Sequence, residues 1–228
     1  MDFNCRNLTS RDRVLPTHNT YRTFADLCRH HPEGRDWRRV VQDRQSFVIL
    51  VAPHGGNIEG GTSELATEIA GEELSLYCFE GLRPRGNQVL HLSSRRFDDP
   101  GCLCLLEATP VAVTIHGCAG SGPGVYVGGR HGELRVALVD ALNQAGFPAI
   151  RDATGHSGTD PANICNRGAS RRGVQLEITR GLRAEMFAGL RQAERRVTTP
   201  RFAAFVAAVH IVLRDHTLQV QRVTAHRD

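Results

Sequence analysis

Ser46-Phe-Val-Ile-Leu-Val-Ala-Pro-His-Gly-Gly-Asn-Ile-Glu-Gly-Gly-Thr-Ser-Glu64 decides how this chain folds. Its first part, Phe47 to Ala52, is a continuous apolar run with the length and β-branched content of a buried strand. Pro53 ends the run, a glycine-rich loop carries His54 and Glu59, and a helical pattern follows from Thr62 to Ala70. A histidine and a carboxylate delivered at the end of a buried strand stand where open α/β sheets place their ligand sites. The pair reads as two metal ligands.

Working outward, residues 1–20 show no periodicity and are expected to form a loosely ordered N-terminal arm, with 21–228 as a single domain. A short amphipathic helix is predicted over Tyr21 to Leu27, then a polar stretch to Arg44 whose His30-His31 pair reads as solvated. Strands are predicted at Leu74–Phe79, Gln88–Ser94 (His91 near its end), Val111–His116, Val125–Val127, Phe147–Ile150 and Gly173–Arg180. A short helix or turn is predicted at Cys102–Glu107 and helices at Gly132–Ala145 and Arg201–Asp215, and Gly71 and Gly146 read as stops. Strands alternating with helices give an α/β sandwich. The polar segment Thr154 to Arg172 is long for a connection and reads as a binding or lid loop.

The bulk numbers set limits. Of 228 residues, 40% are hydrophobic and 23% charged, and no stretch approaches the ~20 apolar residues of a membrane helix. All 28 Lys+Arg positions are arginine, a residue suited to carboxylate or phosphate. The net charge of +4 is far short of a nucleic-acid footprint. The N-terminus lacks an apolar signal core, and seven cysteines is an odd number. A reduced, cytoplasmic monomer, released on lysis if at all, is the expectation.

The strand ending in His116 repeats the pattern of the strand ending in His54, so both histidines can reach one rim of a sheet. A catalytic zinc site takes three protein ligands and leaves a position for water, a count that His54, Glu59 and His116 meet. Gly55, Gly56, Gly60 and Gly61 would let the loop curl. Glu177 would be the general base, passing the water's proton to the leaving amine. Spacing alone leaves His54 also readable as a loop histidine and His116 as a satisfied strand-end residue. His91 reads as structural, second-shell or an alternative ligand, Cys118 as a buried thiol, and Cys102-x-Cys104 as packing.

Seven segments carry a resemblance: Ala52-Pro-His-Gly-Gly-x-Ile-Glu-x-Gly-Thr-Ser-Glu64, Tyr77-x-Phe-Glu-Gly81, Leu90-His-x-x-Ser94, Ile115-His-Gly-Cys118, Val127-Gly-Gly129, Asn163-Ile-x-Asn-Arg167 and Gly173-Val-Gln-Leu-Glu-Ile178. Together, in this order between Tyr21 and Arg183, they resemble the poly-γ-glutamate hydrolase family of bacteria and their phages. That family is similar in fold to zinc carboxypeptidases, which implies a three-layer sandwich with a mixed, twisted sheet flanked by helices. The resemblance implies one Zn2+ per chain on His54, Glu59 and His116, Glu177 as acid/base, and endo-hydrolysis of the γ-glutamyl amides of poly-γ-glutamate. The spacing His-x4-Glu departs from the His-x-x-Glu of the carboxypeptidases and agrees with the hydrolase family. The quoted segments end before Arg183, and the resemblance does not place the chain after it.

A polyanionic substrate calls for cations and donors, and Arg167, Arg180 and Asn166 are the candidates, each also readable as a solvated loop residue. Two other functions compete. One is a zinc amidase acting on another acidic or cell-wall peptide. The other is a non-catalytic nucleic-acid-binding phage protein, for which no recognition-helix motif or aromatic platform is present.

Overall fold

Apolar runs buried on both faces belong in parallel strands covered by helices, and two of them, in β2 and β4, lie at the middle of the sheet. The computed structural model describes residues 19–152, 155 and 157–225, so the expected arm falls almost wholly outside the described residues. Along the chain lie α1 (Phe24–His30), β1 (Trp37–Gln42), β2 (Val48–Gly56), α2 (Thr62–Ala70), β3 (Ser75–Gly81), α3 (Pro100–Ala108), β4 (Val111–Cys118) and β5 (Val125–Gly129). There follow α4 (Gly132–Gln144), β6 (Ala149–Arg151), β7 (Val174–Thr179), α5 (Arg180–Met186) and α6 (Pro200–Ala225).

The sheet runs β1-β3-β2-β4-β7-β5-β6. Strands β3, β2, β4 and β7 are parallel, while β1 and β5 run antiparallel to their neighbours β3 and β7, so the sheet is mixed. Alternation sorts the side chains into two cores. Leu50, Ala52, Val113, Ile115, Leu176 and Ile178 pack with α2, α4, α5 and α6, whereas Ile49, Val51, Tyr77 and Phe79 pack with α1 and α3. Helix α6 closes the first core with Phe202, Phe205, Val209 and Leu213, spaced three or four apart as one helical face requires. Among the described residues no helix is long and apolar enough to cross a membrane.

Three expectations need correction. Strand β1 falls in the stretch read as merely polar. It is an edge strand whose Trp37 is buried while the Arg39 guanidinium lies 4.8 Å from the Trp37 ring and binds buried Asp99 at 2.7 Å, so its inward face carries a charge. Gln88–Ser94 is not a strand. Asn87–Leu90 makes one turn of 3₁₀ helix, because Gly86 takes a positive φ and the Asn87 amide bonds both backbone groups of Arg83. Val89, Leu90 and Leu92 are then all buried, which a one-sided strand would not allow. His31 is not solvated but buried, with Nδ1 2.9 Å from the Asp36 carboxylate and Nε2 3.0 Å from the Tyr21 hydroxyl.

Gly173 sets the entry to β7. A Cβ there would collide with the Cys165 carbonyl and lie 2.5 Å from that of Ala112. Gly173→Ala is expected to destabilise the fold by about 1–3 kcal/mol, as overpacking does, seen as a drop of roughly 2–4 °C in Tm per kcal/mol. An unchanged melting curve would mean that the two backbones are not packed this tightly.

Candidate metal centre

The carboxyl ends of β2, β4 and β7 share one rim, and each presents a polar side chain there. His116 and Glu177 stand directly opposite each other in the β4–β7 register, on the face shared with Thr114 and Gln175. His54 reaches the rim through a bulge. Between Ala52, paired with Cys78, and Gly55, paired with Glu80, β2 advances three residues while β3 advances two. Such an extra residue re-aims the side chains beyond it and tolerates Pro53, which has no N–H to give a ladder. Glu59 follows on the loop, which Glu59 N–H closes by donating to the His54 carbonyl at 2.9 Å.

These side chains meet at one point. His54 Nδ1 lies 3.1 Å from Glu59 Oε1 and 3.2 Å from His116 Nδ1, and His116 Nδ1 lies 3.9 Å from Glu59 Oε2. Zinc–nitrogen bonds of about 2.0–2.1 Å put tetrahedral ligand atoms about 3.3 Å apart, so this donor set fits a small tetrahedral cation. His91 also approaches, with Nε2 3.5 Å from Glu59 Oε1, and His54, Glu59 and His91 offer ligand atoms within 4.8 Å of one another. Its ring, however, stacks on His54 with centroids 3.9 Å apart and planes 26° apart. A metal lies in the plane of each imidazole it binds, and planes so nearly parallel converge only well beyond the rings. The His54 and His116 planes cross at 60°.

Outer contacts fix these groups. His54 Nε2 is 2.6 Å from the Leu92 carbonyl, an acceptor only, so Nε2 carries the proton and Nδ1 faces the site. The Gly117 N–H donates to Glu59 Oε2 at 2.8 Å, and Ser94 Oγ lies 3.5 Å from His116 Nε2. Arg183 is buried and donates to the carbonyls of Ile178, Gly60 and Cys118, tying the Glu59 loop to the ends of β7 and β4. Spacing does not reveal the Leu92, Gly117 and Arg183 contacts, since each pairs residues far apart in the chain. Ser94 and Gln175 did carry a signal, inside two of the seven quoted segments.

Electrostatics follow from burial. Burial alone would raise the Glu59 carboxyl, but His54, His91 and His116 outweigh it and hold it well below its usual range. Burial lowers His54, yet Glu59, the Leu92 carbonyl and Glu177 reverse the sign and raise it. Glu177 goes the other way: burial first, then the Glu59 charge, push it up to about 8. Burial and then Glu177 raise the Cys118 thiol to about 11, which keeps it protonated.

One pH dependence follows for the metal-free protein. Between about 4.5 and about 8 the folded state holds a proton on Glu177 that the unfolded chain has released, so folding stability falls as pH rises. Zinc-free Glu177→Gln is expected to match the wild type in Tm near pH 4 and to exceed it at pH 9. A constant difference across that range would show that the carboxyl is not shifted.

The centre opens into a cleft of about 680 Å³ lined by His54, Glu59, His91, His116, Gln175 and Glu177 on one side. Ser93, Ser94, Arg95 and the segment 157–161 form the other wall. The expected binding loop therefore does border the cleft. Asn166, Arg167 and Arg180 do not line it. Asn166 is buried, with Oδ1 accepting from Arg130 and Gly173 N–H and Nδ2 donating to the Gly158 and Asp160 carbonyls, so it shapes the loop from behind. Arg167 turns to the Phe97 carbonyl at 3.2 Å, and Arg180 is exposed at the start of α5.

Comparison with known proteins bears on this cleft. The family model described as poly-γ-glutamate hydrolase matches residues 21–208. UPF0714 protein YndL of Bacillus subtilis (strain 168) is 34% identical over 200 residues, covering 86% of this chain and 79% of YndL. The structure of a bacteriophage poly-γ-glutamate hydrolase superposes with a TM-score of 0.85 at 34% identity, covering 87% of this chain and 98% of that one. A zinc-free structure of YndL superposes at 0.83 with 33% identity, covering 87% and 99%.

Proposed function

This chain belongs to the poly-γ-glutamate hydrolase family, and from that membership we propose that it is a zinc-dependent hydrolase of γ-glutamyl amide bonds in poly-γ-glutamate. His54, Glu59 and His116 hold the metal, and Glu177 is the general acid/base. What supports the reading is one observation: His54, Glu59 and His116, with their nearest donor atoms 3.1–3.9 Å apart, share the rim of a polar cleft with the half-buried Glu177 carboxylate from the neighbouring strand. A bound zinc ion supplies Lewis acidity, polarising a carbonyl and making water acidic.

The remaining chemistry belongs to the chain. The Leu92 carbonyl and the Gly117 N–H hold His54 and Glu59 in their binding orientations before a metal arrives. Glu177 takes a proton from the attacking water and returns it to the amide nitrogen as that bond breaks, and its raised affinity for protons suits the second half of the task. The wall of serines and loop amides presents hydrogen-bonding groups to a polar main chain.

The direct test follows polymer length on a gel during incubation with purified protein of measured metal content. Shortening of poly-γ-glutamate with one zinc per chain is expected. No cleavage by the zinc-loaded protein overturns the reading.

With Arg167 and Arg180 away from the cleft, Arg95 is the arginine on its wall among the described residues, and it is paired with Asp160 at 2.6 Å. A substrate carboxylate competes with Asp160 for that guanidinium. Arg95→Ala is expected to raise KM about 2- to 5-fold, the scale of one solvated ion pair, with kcat little changed. An unaltered KM would remove Arg95 from substrate binding.

A further inference from the structure

The Asn163-Ile-x-Asn-Arg167 segment is left without a chemical task by this reading, and one of its residues connects to Glu177 through a chain of hydrogen bonds. Asn163 Nδ2 donates to Gln175 Oε1 at 2.9 Å, and Gln175 Nε2 donates to Glu177 Oε1 at 3.1 Å. Asn163 and Gln175 are both buried, 5% and 4% exposed, and Gln175 sits two residues before Glu177 on the same face of β7.

An amide side chain can be turned end for end, so such a chain is ordinarily ambiguous in direction. Here it is anchored. The Cys165 backbone N–H, which can only donate, lies 3.1 Å from Asn163 Oδ1. That fixes the Asn163 oxygen toward Cys165 and its NH2 toward Gln175. The Gln175 atom facing Asn163 must then be its oxygen, and the atom facing Glu177 its NH2. Each orientation follows from the one before, and the first is set by the backbone. Gly158 adds a steric constraint: a Cβ built on it would come within 3.3 Å of Gln175 Cβ and 3.4 Å of its Cδ, so the loop backbone lies against this side chain.

We propose that Asn163 and Gln175 are positioning residues that present an N–H donor, rather than a carbonyl oxygen, to Glu177 and thereby aim its carboxylate into the cleft. This rests on Glu177 being the acid/base. Asn163 acts only through Gln175, so changing its polarity reverses the relay. In Asn163→Asp one oxygen still accepts from Cys165, but the other faces Gln175 with no proton to give. Gln175 then turns over, and its carbonyl oxygen meets the Glu177 carboxylate.

The experiment is a double-mutant cycle on the zinc-loaded enzyme, using Asn163→Asp, Gln175→Leu and the two together, with metal content and Tm measured alongside. Each single variant is expected to lose about 10- to 100-fold in kcat, the scale of supporting hydrogen bonds around a site, with KM and zinc content unchanged. The double variant is expected to be no slower than Gln175→Leu, because the remote residue has nothing left to act through. Asn163→Ala, which frees the Gln175 amide without reversing it, is expected to lose less than Asn163→Asp and serves if the aspartate variant fails to fold. Wild-type kcat in Asn163→Asp, or additive losses in the double variant, overturns the relay. A fully active Glu177→Gln would instead overturn the acid/base reading beneath it, so the two failures are separable.

Discussion

Glu177→Gln is expected to retain one zinc per chain and to cut poly-γ-glutamate hydrolysis by about 10²- to 10⁴-fold, the usual contribution of a general acid/base. Glutamine has the shape of glutamate and can still accept from Gln175, whose Nε2 lies 3.1 Å from the carboxylate, so packing is preserved while proton transfer is lost. Glu177 is far from β4 in sequence but faces His116 directly across the β4–β7 pair. The measurement is kcat on polymer of defined length together with metal analysis. Wild-type turnover with intact zinc would assign the proton transfer to another group.

The second large effect separates two ligand sets. His116→Ala is expected to lose zinc and activity together, whereas His91→Ala is expected to keep stoichiometric zinc. The argument is geometric: the His54 and His116 planes cross at 60° with their Nδ1 atoms 3.2 Å apart, while His91 stacks on His54 at 26°. Zinc at about 1,000 times its dissociation constant stabilises a binding-competent fold by roughly 4 kcal/mol, so the zinc-induced rise in Tm should vanish in His116→Ala and persist in His91→Ala. The reverse outcome would make His54, Glu59 and His91 the ligands.

The two sets also explain how far the centre could be read in the chain. His54 and His116 each follow a mostly apolar strand segment, Phe47–Ala52 and Val111–Ile115, and parallel neighbours bring strand ends to the same rim. Glu177 was legible because β7 alternates cleanly, with Val174, Leu176 and Ile178 in the core and Gln175 and Glu177 on the other face. His91 was placed at the end of a strand that does not exist, since the turn that carries it is set by Asn87 bonding the Arg83 backbone. Asn166 and Arg167 were legible as a motif and not as contacts. The Asn166 amide is taken up by Gly158, Asp160, Arg130 and Gly173 backbone groups and one Arg167 nitrogen by the Phe97 carbonyl, partners that only the folded chain supplies.

The sequence by itself determined the α/β class, the central strands, most of the helices that cover them (α5 excepted) and the family, because hydrophobic periodicity and short motifs are local properties of the chain. Only the tertiary structure decided the aim of each group: the bulge at Pro53 and His54, the Leu92 carbonyl behind His54, the Gly117 N–H on Glu59, and the Asn163–Gln175 amides behind Glu177. The reason is physical. Hydrogen bonds act over about 3 Å, and the partners in most of these contacts are separated by tens of residues that no periodicity relates.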